Sequence, residues 1–301
     1  MNHVLTRVAS VIAVTLGGWT TPGTVVAQDL GQLFVQVVNQ AGAPVTDLSP
    51  AEFEVTEGDV VSKVVSAELD TQPMKIALLV DNSELIHQAN ALTSLRGGVD
   101  GFLTTLPARH EVALATIGQH IRWRVDFTTD REALRESAKE IFVDGGGGPI
   151  LLDGIKETWE RRFDETEPWP IFVVVATDGS ESSGNMHQGQ YERFVKELTA
   201  NGVTVHVLLL STRGGSLVTD YAINLTAHTG GLYEVFGVGT RLATALPEFA
   251  MKLGTHYEQI SQRYRVVYER PDPALAGASL SIWVAREGVV AQGYMDRRIP
   301  Q

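Results

Sequence analysis

Four unbroken apolar runs cross the middle of the chain, and polar segments with helical spacing lie between them. The apolar runs cover residues 76–80, 112–117, 171–176 and 203–210. Runs that are rich in β-branched residues and lack polar alternation are typical of strands covered on both faces. The alternation of such strands with helices predicts an α/β fold with a doubly wound, mostly parallel sheet. Ligands of such sheets bind at the carboxyl ends of the strands.

The segments between the runs predict helices at residues 89–106, 130–141, 150–163, 191–200, 217–228 and 242–260. The second of these has the clearest pattern, with Asp130 as a cap, acidic residues in the first turn and apolar residues at helical spacing. Residues 110–119 and 121–127 are close enough to form a hairpin, which predicts one antiparallel edge strand.

Both ends of the mature chain show a different pattern, with short apolar stretches separated by Gly, Asn and Asp turns. The predicted strands lie at residues 33–38, 53–56, 60–65, 264–269, 279–285 and 289–294. Each end is too small to bury a core alone. We therefore expect the segments 28–72 and 257–301 to pack together as one small β unit, with the α/β domain of residues 73–256 inserted between them.

The first 27 residues have the features of a secretory signal peptide. A short basic start ending at Arg7 precedes an apolar run at 8–16, and small residues surround a cleavage position after Ala27. The run is shorter than the roughly 18 apolar residues that a membrane span needs. The sequence thus predicts an exported protein, periplasmic or secreted, without a membrane span.

Composition narrows the range of partners. The formal net charge is −12, which argues against nucleic acid or an anionic membrane as the main partner, because both attract basic surfaces. The chain contains no cysteine, which excludes disulfides, a cysteine nucleophile and an iron–sulfur cluster.

Acidic and hydroxyl residues follow two of the predicted parallel strands. The first strand runs into Asp81 and Ser83, and the third runs into Asp178. A glycine-rich stretch that begins at Asp144 opens another loop at the same predicted edge of the sheet. Oxygen ligands that converge in this way are those that a hard cation such as magnesium prefers.

Three stretches, "LLVDNSE", "GGGGPILLDGI" and "FVVVATDGSESSG", resemble the loops of the von Willebrand factor type A (VWA) domain. The resemblance covers about residues 73–256. It implies a metal-ion-dependent adhesion site, in which Asp-x-Ser-x-Ser, a Thr and an Asp on three loops hold magnesium and leave it open to an acidic side chain of a partner. Asp81, Ser83 and Asp178 match this motif.

Two positions depart from the motif. Leu85 stands where the second serine is expected, and the threonine position falls on Pro149, counted back from Asp153, or on Gly148. The remaining ligands would bind magnesium weakly or not at all, although Glu84 and Asp144 could assist. The alternative is that Asp81 and Asp178 order their loops by accepting backbone hydrogen bonds.

A wider resemblance covers the whole mature chain and involves "FVQVVNQAGAPVTDLSPAEFEVTEGD", "VDFTTDREAL" and the final strands. These stretches are similar to the acidobacterial-type VWA-related family of exported bacterial proteins. The resemblance implies a binding module without enzymatic activity, whose protein partner is not identified. A structural role in an envelope assembly, with the β unit as the interface, is the alternative.

Two enzyme-like patterns are weaker. Ser180 and Ser182 lie near His187 without a nucleophile motif. The glycine-rich stretch lacks the Gly-Lys-Ser/Thr ending of a phosphate-binding loop.

Overall fold

The computed structural model describes residues 30–145, 147–164, 169–184, 186–212, 216–271 and 279–294. The predicted leader at residues 1–27 lies outside the described residues.

Thirteen strands and seven helices are present in the described ranges. The strands are β1 (Leu30–Asn39), β2 (Phe53–Glu57), β3 (Val60–Ser62), β4 (Val64–Leu69), β5 (Lys75–Val80), β6 (Glu111–Ile117), β7 (Ile121–Thr128), β8 (Pro170–Thr177), β9 (Thr204–Leu210), β10 (Tyr233–Phe236), β11 (Tyr264–Glu269), β12 (Leu280–Val284) and β13 (Val289–Tyr294). The helices are α1 (Glu84–Gln88), α2 (Leu92–Thr105), α3 (Arg131–Lys139), α4 (Leu151–Arg162), α5 (Gln188–Ala200), α6 (Leu217–Thr229) and α7 (Leu242–Ile260).

The central sheet has the strand order β10-β9-β8-β5-β6-β7. All neighbouring strands are parallel except β6 and β7, which form an antiparallel pair at one edge. The predicted doubly wound sheet with one antiparallel edge strand is therefore confirmed. The short edge strand β10 was not predicted, because Glu234 interrupts its apolar run of four residues.

The first predicted helix, at residues 89–106, is wrong at its start. Asn90 adopts a left-handed backbone conformation with φ of 53°, which interrupts the helical path between α1 and α2. Asparagine accepts this conformation more readily than most residues, so the break falls where the sequence permits it.

The two terminal segments form a pair of packed β-sheets. One sheet has the order β13-β1-β11-β4, and the other has the order β12-β2-β3. The predicted single strand at 60–65 is in fact divided at Lys63, so that β3 joins one sheet and β4 joins the other. The core between the sheets contains buried side chains from both ends of the chain, including Val35, Val55 and Val266.

Separate apolar cores cover the two faces of the central sheet. Hydrogen bonds also connect the α/β domain, which includes the whole of α7 and therefore Tyr257, to the β unit. Trp169 Nε1 donates to Asp70 Oδ1 at 3.0 Å, and Tyr257 Oη donates to the carbonyl oxygen of Thr71 at 2.7 Å. Within the described ranges, every helix is too short or too polar to cross a membrane.

Candidate functional site

Asp81 follows β5 at the carboxyl edge of the central sheet, and its side chain is fully buried. Its Oδ2 accepts hydrogen bonds from Thr177 N (3.1 Å) and Thr177 Oγ1 (2.5 Å), and its Oδ1 accepts one from Ser83 N (2.7 Å). Burial raises the pKa of Asp81, while the bonds from Thr177 and Ser83 oppose that rise because they favour the charged form. The carboxylate thus ties the end of β5 to the end of β8.

Ser83 Oγ is the hydroxyl that the motif would offer to a metal. It is buried and makes no hydrogen bond within the part of the chain that the structure describes. It still lies near enough to Asp81 to lower the pKa of that carboxyl, although outside the geometry of a hydrogen bond. One ligand-type oxygen therefore faces the carboxylate without a partner of its own.

Asn82, between these two residues, holds three loops together. Its Oδ1 accepts from Gly118 N at 3.0 Å, and its Nδ2 donates to the carbonyl oxygen of Phe142 at 2.7 Å. Its own carbonyl oxygen accepts from Asp144 N at 2.8 Å. Sequence reasoning missed this clamp, because nothing in the local pattern indicates which distant loops an asparagine side chain will reach.

Asp178 follows β8 and is 2% exposed. Its Oδ2 accepts from Ser211 Oγ at 2.8 Å, while its Oδ1 accepts from Thr212 N at 2.7 Å and Thr212 Oγ1 at 3.0 Å. Both oxygens of this carboxylate therefore bind the loop after β9. Ser211 and Thr212 were not predicted to take part in the site.

Leu85, which replaces the second serine of the motif, lies in the first turn of α1 and is 5% exposed. Its side chain packs against the backbone of the loop after β8. A methyl group added to Gly179 would lie only 2.1 Å from Leu85 Cδ1. The same group would lie 3.0 Å from the carbonyl oxygen of Gly147, so the leucine fills space where the three loops approach one another.

The two candidate positions for the threonine, Gly148 and Pro149, have different surroundings. A Cβ atom at Gly148 would lie 2.2 Å from the backbone oxygen of Ser180, so no side chain fits there without movement of the loops. Pro149 is buried, and its carbonyl oxygen accepts from Ser182 N at 2.9 Å. Neither position therefore offers a side-chain oxygen to a metal.

Asp144 and Glu84, the two acids that could assist a metal, lie at different places on the carboxyl edge of the central sheet. Asp144 Oδ2 accepts from Arg122 Nε at 2.9 Å, an ion pair that neutralises much of its charge. Glu84 is half-buried at the start of α1. The positive guanidinium of Arg122 beside the loop opposes cation binding at Asp144.

The donor set is too small for magnesium, because Ser83 Oγ is the one side-chain oxygen of the motif that lacks a protein donor in the described ranges. Near-octahedral coordination requires several convergent oxygens. Here the oxygens of Asp81 and Asp178 accept hydrogen bonds from the protein, and Leu85 and Pro149 supply none.

Glu181 is a further acid that sequence reasoning missed. Its Oε1 accepts from Ser183 N at 3.0 Å, and its Oε2 is buried without a partner in the described ranges. Burial raises the pKa of Glu181, and the hydrogen bond from Ser183 opposes that rise. Ser183 Oγ accepts from Asp153 N at 2.9 Å. The loop after β8 therefore caps the N-terminus of α4, whose own N-cap Ile150 has no side-chain acceptor.

The enzyme-like serines are not arranged as a nucleophile and a base. Ser182 Oγ donates to the carbonyl oxygen of Ser180 at 3.3 Å. In the described ranges, neither hydroxyl forms a hydrogen bond with His187, the N-cap residue of α5. This contact is the first requirement of a Ser–His pair.

Comparison with solved structures places this arrangement in a known fold. The structure of a von Willebrand factor type A protein from Catenulispora acidiphila superposes with a TM-score of 0.51 at 12% identity, over 76% of this chain and 51% of that chain. The chain has a VWA-like fold. The match spans about half the length of the Catenulispora protein.

Two other VWA-like structures match a smaller share of the chain. BatB of Bacteroides thetaiotaomicron matches with a TM-score of 0.45 at 15% identity, over 60% of this chain and 99% of that chain. Proximal thread matrix protein 1 of the mussel byssus matches with a TM-score of 0.47 at 19% identity, over 62% and 48% of the two chains. No family model and no curated protein sequence matches the chain.

Proposed function

We propose that this VWA-like protein is a non-enzymatic binding module that engages a protein partner through the loops after β5, α3 and β8, and that it does so without a bound metal. We call these loops, at residues 81–87, 144–150 and 178–188, the rim. The observation that carries the proposal is the packing of Leu85 against Gly179, which fills the centre of the rim with an apolar side chain.

The rim is suited to binding because it is preformed. Asp81, Asn82 and Asp178 fix the loops by hydrogen bonds, so little backbone freedom would be lost when a partner binds. Exposed groups surround this rigid centre, including Phe142 with 47% of its surface exposed and the half-exposed side chain of Arg122. An aromatic ring beside an arginine is a common composition of interface anchors.

Isothermal calorimetry with Mg²⁺ and Mn²⁺ tests the metal-free character of the rim. We expect no saturable heat at millimolar metal for the wild-type protein. We expect Mn²⁺ binding to appear in a variant that carries Leu85→Ser and Pro149→Thr together, with Asp81→Ala added as the negative control. Saturable wild-type binding that Asp81→Ala abolishes would contradict the proposal.

The β unit provides a second candidate interface. Its surface exposes Trp283 by 67%, Val61 by 63% and Val290 by 64%. Large apolar side chains with this exposure mark interaction surfaces when they lie close together. The role in that case is structural, as one component of an assembly in the bacterial envelope.

Matched surface variants separate the two candidates. Envelope extract is passed over immobilised wild-type protein, over Arg122→Glu with Ser182→Arg at the rim, and over Trp283→Ser with Val61→Ser on the β unit, all in EDTA. Retention that is lost with the rim pair alone supports the proposed function. Loss with the β-unit pair alone supports the structural role and overturns rim binding.

Export is part of the same proposal. The motivating observation is the signal-like pattern that ends at Ala27. Amino-terminal sequencing of protein from a periplasmic or secreted fraction should begin at Gln28. An amino terminus at Met1 in the cytoplasmic fraction would contradict it.

A further inference from the structure

Two short connectors, which lie side by side, join the α/β domain to the β unit. One covers residues 70–74, between β4 and β5, and the other covers residues 261–263, between α7 and β11. Asp70 N donates to the carbonyl oxygen of Arg263 at 2.9 Å, which ties the two connectors together. Because both crossings of the chain lie at one place, a few residues there are able to act as a hinge.

Packing between the two units is slight. In the described ranges, the core of the β unit shares no side chain with the two cores of the central sheet. The helices and strands of the α/β domain also make only sparse contacts with the strands of the β unit. Units of one chain that share a small interface move relative to each other by default. Their orientation therefore depends on the bonds at the junction.

The connector at residues 70–74 is held at both of its ends. The hydrogen bonds from Trp169 and Tyr257 hold its first two residues. At the other end, Met74 is 1% exposed, and its N–H donates to Nδ1 of His110 at 3.1 Å. Of these three side chains, only the imidazole ordinarily changes its protonation state between pH 5 and pH 8.

His110 is fully buried, and the charges nearest to it oppose an imidazolium. Arg109 precedes it in the chain, and Arg131 of α3 donates to its carbonyl oxygen at 2.8 Å. From α7, the ring of Tyr257 lies 4.5 Å from the imidazole, and Glu258 forms an ion pair with Arg109. Burial, followed by repulsion from Arg109 and Arg131, lowers the pKa of His110 to about 4.

The other charged groups at the junction do not offset this repulsion. The carboxylate of Asp70 accepts a hydrogen bond from Trp169 Nε1. Lys75 and Glu111, which are paired in β5 and β6, follow Met74 and His110 directly and therefore alternate to the opposite face of the sheet.

Protonation of His110 and its bond to Met74 exclude each other. Nδ1 accepts from Met74 N only while it carries no proton, so the proton of the neutral ring lies on Nε2. Nε2 is buried and has no hydrogen-bond partner in the described part of the chain. A proton on Nδ1 would place two donors opposite each other inside a cationic environment.

We propose that His110 is an acid-sensitive latch on a hinge between the α/β domain and the β unit. The neutral imidazole holds Met74 and keeps the hinge closed. Protonation releases the connector at residues 70–74 and allows the two units to change their orientation. The latch lies at the amino ends of the parallel strands, opposite the rim, so it stands or falls independently of the proposed function.

The direction of the pH effect follows from the two states of the hinge. In the open state the imidazole is hydrated and titrates near pH 6.5, whereas in the closed state it titrates near pH 4. Between these values the open state binds more protons, so the closed state loses stability as the pH falls. The opening equilibrium should rise about thirtyfold between pH 7.5 and pH 5.

Hydrogen exchange of the Met74 amide, measured by NMR and corrected for the intrinsic exchange rate, tests the latch. We expect its protection to fall about thirtyfold between pH 7.5 and pH 5. His110→Asn keeps an acceptor that does not titrate and should remove this fall. His206→Asn is the matched control, since Nδ1 of that buried histidine accepts from Leu232 N in the same way. It should leave the fall at Met74 unchanged within about twofold.

Energy transfer between two dyes tests the hinge. The chain has no cysteine, so Arg193→Cys on α5 and Ser281→Cys on β12 would label one exposed position in each unit. The distribution of distances between the dyes should broaden reversibly between pH 7.5 and pH 5. With His110→Asn added, it should stay narrow at both values.

Four outcomes overturn the proposal. The protection of Met74 does not change with pH, or it falls equally in His110→Asn, or the amide of Val174 in the central sheet loses protection in parallel, which indicates global unfolding. The fourth is an unchanged distance between the dyes while Met74 is released. If His110→Asn does not fold by circular dichroism, NMR titration of the wild-type imidazole decides. A pKa of His110 below about 5 supports the latch, and one near 6.5 refutes it.

Discussion

At the scale of single residues, the acids that resemble metal ligands act as connectors between loops. Asp81 accepts three hydrogen bonds, and Asp178 accepts three from the loop after β9. Charge-assisted bonds of this kind offset the free energy that burial of a carboxylate costs. At the place where a cation would bind, hydrogen-bond donors of the protein hold the two carboxylates.

Thr177→Val should therefore destabilise the protein. The substitution keeps the shape of the side chain but removes a donor to the buried carboxylate of Asp81, and a hydrogen bond to a charged group contributes about 1.5–3 kcal/mol. Urea denaturation measures the loss in the free energy of unfolding. Thr177→Ser retains the hydroxyl and should lose less than half as much, and equal losses would show that packing rather than the hydrogen bond is responsible.

At the scale of elements, α4 depends on a neighbouring loop for its start. Its N-cap Ile150 has no side-chain acceptor, and Ser183 Oγ of the loop after β8 accepts from the backbone N–H of Asp153 in its first turn. A helix N-terminus that is buried without such acceptors is costly. The order of this loop and the start of α4 are therefore linked.

Ser183→Ala should cost about 1 kcal/mol of stability, the usual effect of removing a capping hydroxyl. Thermal unfolding followed by circular dichroism gives the change. Ser182→Ala provides the control, since its exposed hydroxyl contacts the carbonyl oxygen of Ser180 at 3.3 Å and caps no helix. A loss of stability in the control as large as in Ser183→Ala would refute the capping role.

The sequence predicted the helices and strands better than the hydrogen bonds that connect the loops between them. Continuous apolar runs were sufficient to place Asp81 and Asp178 at one edge of the sheet, because burial on both faces imposes that pattern. The hydrogen bonds of Thr177, Ser183 and Ser211 depend on how separate segments of the chain meet, and no local periodicity encodes that. The break at Asn90 is similar, because it depends on a single residue within an otherwise helical pattern.

At the scale of the whole molecule, buried neutral histidines make stability depend on pH. His206 in β9 is 1% exposed, and its Nδ1 accepts from Leu232 N at 3.0 Å. Burial, followed by repulsion from His256, lowers the pKa of His206 to about 3. Burial also lowers the pKa of His110 to about 4.

These shifts predict the direction of the pH effect. An unfolded histidine titrates near pH 6.5, so between that value and the folded pKa the unfolded state binds more protons. Stability should be complete above about pH 6.5 and should fall as the pH decreases, with a limiting slope of about 1.4 kcal/mol per pH unit for each histidine. Urea denaturation at pH 7.5 and pH 5 measures this change in the free energy of unfolding. His206→Asn should flatten the dependence, and an unchanged slope would exclude His206 as a source.

Truncation tests the dependence of one end of the chain on the other. A chain that ends at residue 262 lacks β11 and β13, the two strands that flank β1. We expect residues 30–69 to become sensitive to limited proteolysis while the α/β domain stays resistant. Equal resistance of these residues in the truncated and full-length chains would contradict this dependence.

The position of β1 between β13 and β11 also has a consequence for folding during synthesis. The strand is among the first to be synthesised, and about 225 residues separate its end at Asn39 from the start of its neighbour β11 at Tyr264. At roughly 5–20 residues per second, ribosomal synthesis leaves this apolar segment waiting on the order of 10–45 s for its partners. Throughout that interval its unsatisfied edges are open to association with other nascent chains, so a chaperone that holds extended segments should bind there first.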